Sequence, residues 1–133
     1  NWWTEADYEA FQGLCQQVIA FYDGVEAAPG IACNGTLTIS ENVADLGALA
    51  CITQIEGQEA MPDYQTLYRT AARSWRGTAS RETRSYLSTA DVHAPDKLRG
   101  SRALQSLDEF YEAFDIQPGD GMYLDPADRV QIW

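Results

Sequence analysis

The sequence has few histidines, cysteines and basic residues, and these shortages exclude several classes of protein. It contains 1 His and 3 Cys, and Cys15, Cys33 and Cys51 form no C-x-x-C pair. A four-ligand zinc site of nitrogen and sulfur donors therefore cannot be built from this chain alone. An odd number of cysteines is also not a disulfide framework. With 9 Lys and Arg against 20 Asp and Glu, the formal net charge is −11, so nucleic acid and acidic membranes are not expected partners.

Several sequence signals of targeting and catalysis are absent as well. No apolar run approaches the roughly 18 residues of a membrane span, and no signal peptide is visible. The sequence has no G-x-S-x-G element of a hydrolase and no glycine-rich phosphate loop. It opens at Asn1 without an initiator methionine, and we therefore expect a processed or excised piece of a longer protein.

Helical periodicity dominates what the sequence does contain. Hydrophobic residues make up 45% of it, which is enough for a packed core. Apolar side chains recur at steps of three and four residues in several segments, whereas strand-like alternation is nearly missing. The pattern predicts a mainly α fold with little or no sheet. The predicted helices are one capped by Thr4 and Asp7 and ending at Gly24, one from Ser40 to about Glu56, one capped by Asp63 and ending near Gly77, a short one over 81–87, and helical spacing over 101–114 with a restart at Ser106.

The remaining segments are predicted to be loops or short extended pieces. Residues 27–30 and 89–100 are predicted loops, and residues 36–39 a short extended stretch. The tail from residue 117 is rich in Pro and Gly, and its apolar end predicts that it packs against the body of the domain.

The second predicted helix carries two acidic residues on one face. From Val43 to Ile52 its only charged residue is Asp45, which is typical of a buried helix. Glu41 lies four residues earlier and shares the face of Asp45. Two like charges on a buried face need a compensating cation or hydrogen-bond donors, which favours a metal or catalytic site. The alternative is that acidic residues in a first turn simply interact with the helix dipole, an explanation that suits Glu41 better than Asp45.

A second candidate group surrounds the single histidine. His93 stands in D-V-H-A-P at 91–95, and Arg99 follows six residues later. A lone histidine in a loop can be catalytic, but it can equally be an ordinary surface residue. Arg99 can likewise be a substrate clamp or a salt-bridge partner. The residue types alone leave both alternatives open.

Four short motifs, in order along the chain, resemble the neprilysin family of zinc endopeptidases, which includes neprilysin, endothelin-converting enzyme and bacterial oligopeptidases. E-N-V-A-D at 41–45, with N-G at 34–35 and L-G at 46–47, resembles the family's E-N-x-A-D helix. N-W-W-T at 1–4 resembles the D-W-W-T segment after its zinc helix. D-V-H-A-P at 91–95 with a downstream arginine resembles its D-x-H-x-P loop, and R-V-Q-I-W at 129–133 resembles its terminus.

The resemblance implies a fold, a reaction and a role for each site residue. Residues 1–133 would be the C-terminal part of the catalytic domain, a helical subdomain of a thermolysin-like (gluzincin) metallopeptidase that hydrolyses oligopeptides. Glu41 would be the third zinc ligand, and Asp45 would hold a ligand histidine by its other ring nitrogen. His93 would donate to the oxyanion of the tetrahedral intermediate, and Arg99 would bind a substrate carbonyl.

The chain also departs from the family pattern. The H-E-x-x-H helix, which supplies two zinc ligands and the general base, would lie before Asn1. We therefore expect an isolated chain that is inactive, does not retain zinc, and self-associates without the missing N-terminal part. Cys15 falls where disulfide-bearing members have a cysteine, but its partner position is Asp128, which favours a bacterial member, cytoplasmic or secreted. The alternative function is a non-catalytic helical interaction domain derived from such a protease.

Overall fold

Six α-helices, two short 3-10 helices and one small hairpin make up the described part of the chain. The computed structural model describes residues 2–132, so the predictions that involve Asn1 and Trp133 lie outside the described residues. The mainly α prediction is confirmed. In chain order the elements are α1 (Glu5–Tyr22), β1 (Glu26–Ala28), β2 (Ile31–Ala32), α2 (Ile39–Glu56), α3 (Tyr64–Ser74), α4 (Arg81–Ala90), α5 (Asp96–Arg99), a 3-10 helix at Ala103–Ser106, α6 (Asp108–Phe114) and a 3-10 helix at Pro126–Asp128.

Helix α1 begins as the sequence predicts. The Thr4 hydroxyl accepts from the Asp7 backbone N–H at 3.2 Å, and the Asp7 carboxylate accepts from the Thr4 backbone N–H at 3.0 Å, which completes a capping box. The predicted apolar stripe is buried only toward the C-terminal end of the helix. Val18 and Tyr22 are fully buried there, whereas Tyr8 is 55% exposed.

The connection from α1 to α2 differs from the prediction. The predicted loop at 27–30 includes the end of β1 and the turn that leads to β2. The two strands pair antiparallel, and Gly30 in the turn has a φ of 70°. The predicted extended stretch at 36–39 is wrong, because the Asn34 side chain accepts from the Leu37 N–H and forms a turn that leads directly into α2. Helix α2 consequently starts at Ile39 after Thr38, and Ser40 lies in its first turn rather than at its N-cap.

The later helices keep the predicted order but change their ends. Asp63 caps α3 as predicted, and its carboxylate accepts from the Thr66 N–H at 3.0 Å. The predicted loop at 89–100 is wrong in part, because α4 runs on to Ala90 and Pro95 introduces the short helix α5. The predicted restart at Ser106 is also wrong. Its side chain is buried and makes no capping bond, and α6 begins after Leu107.

The core lies where α1, α2, α3 and α6 meet. Its buried members include Val18, Leu46, Tyr68 and Phe110, and the tail covers it through Val130, as predicted. Tyr68 on α3 pairs with the Thr53 hydroxyl on α2 at 3.1 Å, which joins these two helices through a buried hydrogen bond. No helix among residues 2–132 is long and apolar enough to cross a membrane.

Helix α2 is less buried than its composition predicts. Leu46 and Leu49 are buried, but Ile52 is 37% exposed and Ile55 is 62% exposed. Within this structure the predicted burial of α2 holds for one face only. One face of α2 packs on α1 and α3, and the described residues leave much of its opposite face open.

Candidate active site

The four predicted site residues lie together at the N-terminal half of α2. His93 Nε2 lies 3.3 Å from Glu41 Oε2. Arg99 donates from Nε to Asp45 Oδ2 at 2.7 Å and from Nη2 to Asp45 Oδ1 at 2.8 Å. Because Glu41 and Asp45 are one helical turn apart, the two contacts lie side by side. The predicted convergence is therefore present in the fold.

Local packing sets where α2 begins and thus where its carboxylates point. The Gly35 N–H donates to Asp23 Oδ1 at 2.9 Å, which holds the turn against the end of α1. A side chain at position 35 would collide with the carbonyl oxygen of Ile19, so only glycine allows this close approach. Asn42 is buried and donates to the Thr38 hydroxyl at 2.8 Å. Gly35 and Asn42 of the motifs therefore fix the start of α2 through contacts within the fold.

Asp91 orients the His93 ring. Its Oδ1 accepts from the His93 backbone N–H at 3.0 Å and lies 2.8 Å from His93 Nδ1. These hydrogen bonds lower the pKa of Asp91 below its ordinary value, so it is a carboxylate near neutral pH. The imidazole is held between two carboxylates, with Nδ1 toward Asp91 and Nε2 toward Glu41. Asp91 belongs to the D-V-H-A-P motif but is not among the predicted site residues. Its position two residues before the only histidine was the available signal.

The Asp45–Arg99 pair is more enclosed than the His93 pairs. Both of its side chains are 13% exposed, and the Arg99 guanidinium lies over the Trp75 ring at 3.7 Å from the centroid. The hydrogen bond to Asp45 raises the pKa of Arg99 further above its ordinary value. Arg99 Nη1 has no hydrogen-bond acceptor within residues 2–132. Trp75 is not among the predicted site residues, and only its contact with Arg99 assigns it to this site.

The site can supply only part of a metal centre. Within the described part of the chain, no three His, Cys, Asp or Glu residues are grouped so that they could hold a metal ion. The Glu41 side chain is 36% exposed and offers carboxylate oxygens, which are acceptable zinc ligands. The described residues therefore fit zinc only in part, with Glu41 as one of several ligands that the metal would need. Cys15, Cys33 and Cys51 are free thiols.

Comparison with known proteins identifies the family of this chain. The model of peptidase family M13 matches residues 1–130. The chain belongs to peptidase family M13. A neutral endopeptidase of Lactococcus lactis subsp. lactis is an M13 relative that is 42% identical over the whole chain. The chain covers 21% of that protein. It therefore spans about a fifth of the length of the curated relatives with which it aligns from end to end.

Solved structures of similar proteins agree with the M13 assignment. The crystal structure of PepO from Lactobacillus rhamnosis matches the whole chain with a TM-score of 0.91 and 39% identity, and the chain covers 21% of it. The zinc metalloprotease ZMP1 of Mycobacterium tuberculosis, solved with an inhibitor, matches the whole chain with a TM-score of 0.85 and 29% identity, and the chain covers 23% of it. The described fold is thus the one that the corresponding part of these proteins adopts.

Proposed function

We propose that residues 1–133 form the C-terminal part of the catalytic domain of a zinc metalloendopeptidase that hydrolyses peptide bonds in oligopeptides. Another segment of the same protein would supply the H-E-x-x-H helix. The observation that carries this proposal is the pair of adjacent contacts, Glu41 with His93 and Asp45 with Arg99, on one helix of an M13 chain. The sequence similarity to bacterial endopeptidases supports a bacterial enzyme. We propose in addition that it acts in the cytoplasm or after secretion.

Glu41 is the proposed metal ligand of this chain. Its carboxylate is partly exposed and lies next to the histidine that would act on the substrate. Two histidines from outside this chain would complete the ligand set, since catalytic zinc sites use three protein ligands and keep one position open. Zinc in such a site acts as a Lewis acid and promotes attack of water on a peptide carbonyl.

His93 and Asp91 form the proposed oxyanion-stabilising unit. With Nδ1 held by Asp91, the ring can present an N–H from Nε2 toward the substrate once that nitrogen carries a proton. A fixed donor beside the reacting carbonyl stabilises charge that develops in the transition state. Asp91 acts on His93 only, by fixing the orientation of its ring.

Arg99 and Asp45 form the proposed substrate-positioning unit. Asp45 immobilises the guanidinium through two hydrogen bonds, and Trp75 supports one of its faces. Arg99 Nη1 can then donate to a substrate carbonyl. A carboxylate has about four acceptor positions, so Asp45 can hold Arg99 and also accept from the outer ring nitrogen of a zinc-ligand histidine.

The test uses the full-length protein that contains this chain, assayed on oligopeptides with zinc content measured in parallel. We expect Glu41→Gln to lose zinc and activity together. His93→Gln should keep zinc and lower kcat by roughly 10²–10³. Asp108→Asn is the matched control, because it breaks the Arg129–Asp108 ion pair outside this site. It should leave kcat/KM within about twofold, because the Asp108 side chain is 64% exposed and takes no part in the contacts of Glu41, His93 or Arg99.

Two results would refute the proposal. One is an unchanged kcat in His93→Gln at full zinc content. The other is a full-length sequence without an H-E-x-x-H helix, which would instead favour the non-catalytic interaction domain.

A further inference from the structure

A cavity of about 440 Å³ opens directly beside His93 and Arg99. It lies between α4, the β1–β2 hairpin, the link from α3 to α4, and the loop that carries His93. Its size is within the range of small-ligand and side-chain pockets. If the reacting carbonyl of a bound peptide lay at His93 and Arg99, a side chain of the peptide next to the cleaved bond could reach into this cavity.

Specific contacts build the walls of this pocket. Arg81 on α4 donates from Nη2 to the Pro29 carbonyl at 3.0 Å and ties α4 to the hairpin turn. The Asp96 carboxylate lies against Gly77, so the α3–α4 link passes close to α5 at this point. The pocket is therefore held by contacts between separate elements.

The pocket concentrates positive charge in an otherwise acidic protein. Four of the nine basic residues line it, namely Arg76, Arg84, Lys97 and Arg99, against two of the twenty acidic residues, Asp91 and Asp96. Arg99 is paired with Asp45, and Asp91 is paired with His93. Among the described residues, Arg76, Arg84 and Lys97 have no carboxylate within ion-pair distance. This distribution contrasts with the net charge of −11 for the whole chain.

We propose that this pocket binds a carboxylate of the peptide substrate through Arg76, Arg84 and Lys97, so that the enzyme prefers peptides with an acidic group close to the cleaved bond. The carboxylate can belong to a Glu or Asp side chain or to the peptide C-terminus. The inference rests on the proposed peptidase function and adds a substrate preference to it.

The shape and chemistry of the pocket suit such a group. Ile31, Trp75 and Leu87 give it an apolar wall against which the methylene stem of a glutamate can pack. Arginine binds a carboxylate through two parallel N–H donors, which adds geometric selectivity to the charge attraction. The strongly negative surface elsewhere repels an acidic peptide, so the attraction is confined to this cleft.

The test compares matched peptides in the full-length enzyme. One series carries Glu or its neutral isostere Gln at each position around the cleaved bond, and a second series ends in a free carboxylate or an amide. We expect kcat/KM to be about three- to tenfold higher for the acidic member at one position or at the terminus, and the difference to shrink as salt is raised. The series that shows the difference identifies the source of the carboxylate.

Substitutions in the pocket should remove this discrimination. Arg84→Gln and Arg76→Gln should bring the acid-to-neutral ratio toward one. Arg73→Gln is the matched control, since Arg73 is an exposed arginine of α3 outside the pocket, and it should keep the ratio. Equal rates for acidic and neutral members in both series, or a ratio that Arg84→Gln and Arg76→Gln leave unchanged, would overturn the inference while the peptidase function stands.

Calorimetry on the zinc-free full-length protein provides a readout that is independent of catalysis. The acidic peptide should bind more tightly than its neutral isostere, and Arg84→Gln should abolish the difference. If no peptide is cleaved, the proposed peptidase function fails, but this binding difference still supports the carboxylate pocket. Equal binding of the two peptides would overturn it.

Discussion

Arg99 binds both carboxylate oxygens of Asp45, at 2.7 and 2.8 Å, across 54 residues of sequence. The geometry is bidentate, and both side chains are 13% exposed. The pair joins α5 to α2 and also fixes the guanidinium beside Trp75. One contact therefore stabilises the fold and positions a proposed substrate-binding group.

The Asp45–Arg99 pair should show strong energetic coupling. We expect Asp45→Ala to destabilise the chain by about 2–4 kcal/mol, because it leaves a largely buried guanidinium without its acceptor. Arg99→Met keeps an apolar stem against Trp75 and completes a double-mutant cycle, measured by chemical denaturation. The same cycle on Arg129 and Asp108, where the Asp108 side chain is 64% exposed, should give coupling of about 0–1 kcal/mol. Equal coupling in the two cycles would contradict the prediction.

Zinc should bind weakly to the 133-residue chain. Glu41 offers one carboxylate, and tight zinc binding needs about four ligands. Calorimetry should detect no submicromolar, one-to-one binding, and Glu41→Gln should make little difference in this chain. In the full-length protein the same substitution should weaken zinc binding at least about tenfold in a chelator competition. Tight stoichiometric binding by the 133 residues would show that they carry a complete site.

The open face of α2 should drive self-association of the 133-residue chain. Ile52 and Ile55 are exposed there, and apolar side chains of this size contribute about 1.5–3 kcal/mol each when fully buried. Sedimentation at tens of micromolar, under reducing conditions because Cys51 is exposed, should show oligomers. Ile55→Lys reduces the net negative charge and hence the repulsion between chains, yet it should weaken association. A monomer that binds no hydrophobic dye would refute the prediction.

Substitution by alanine should have opposite effects on stability at Gly35 and at Gly13. At Gly35 a Cβ atom would overlap the Ile19 carbonyl and press on Asp23, and we expect Gly35→Ala to cost about 1–3 kcal/mol. Gly13 lies inside α1, and nothing within 4 Å would meet its Cβ. Gly13→Ala should therefore stabilise the chain by about 0.5–1 kcal/mol through helix propensity. Thermal unfolding of both variants tests the close approach at the start of α2, and a harmless Gly35→Ala would argue against it.

Alkaline pH should destabilise the fold through Tyr68. Burial raises the pKa of its phenol from the ordinary 10.0 to about 12. The unfolded chain therefore releases this proton near pH 10, whereas the folded chain keeps it to about pH 12, so stability falls as pH rises through this window. Tyr68→Phe loses the hydrogen bond with Thr53 and should be less stable at pH 8, but the deficit should narrow by pH 11. Urea denaturation at both pH values measures this, and a constant deficit would exclude the effect.

Local interactions account for what the sequence by itself determined. The capping box of Thr4 and Asp7 and the cap at Asp63 each act over three residues, so residue types at short spacing are enough to predict them. The mainly α class follows from the same local periodicity. Element ends were less predictable where a backbone turn competed, as at Ser40, because the Asn34 side chain organises the preceding turn and starts α2 earlier.

Only the tertiary structure decided which charged groups meet. Glu41 and Asp45 share a helix face by their spacing, but the pairing of Asp45 with Arg99 and of Glu41 with His93 depends on how the loop and α5 pack against α2. The same holds for the basic pocket, whose arginines come from separate elements. The apolar composition of α2 predicts a buried helix, but Ile52 and Ile55 are exposed, because burial depends on which other elements pack against the helix. The sequence gives the chemistry of each side chain directly, whereas its hydrogen-bond partners and its solvent exposure depend on how the chain packs.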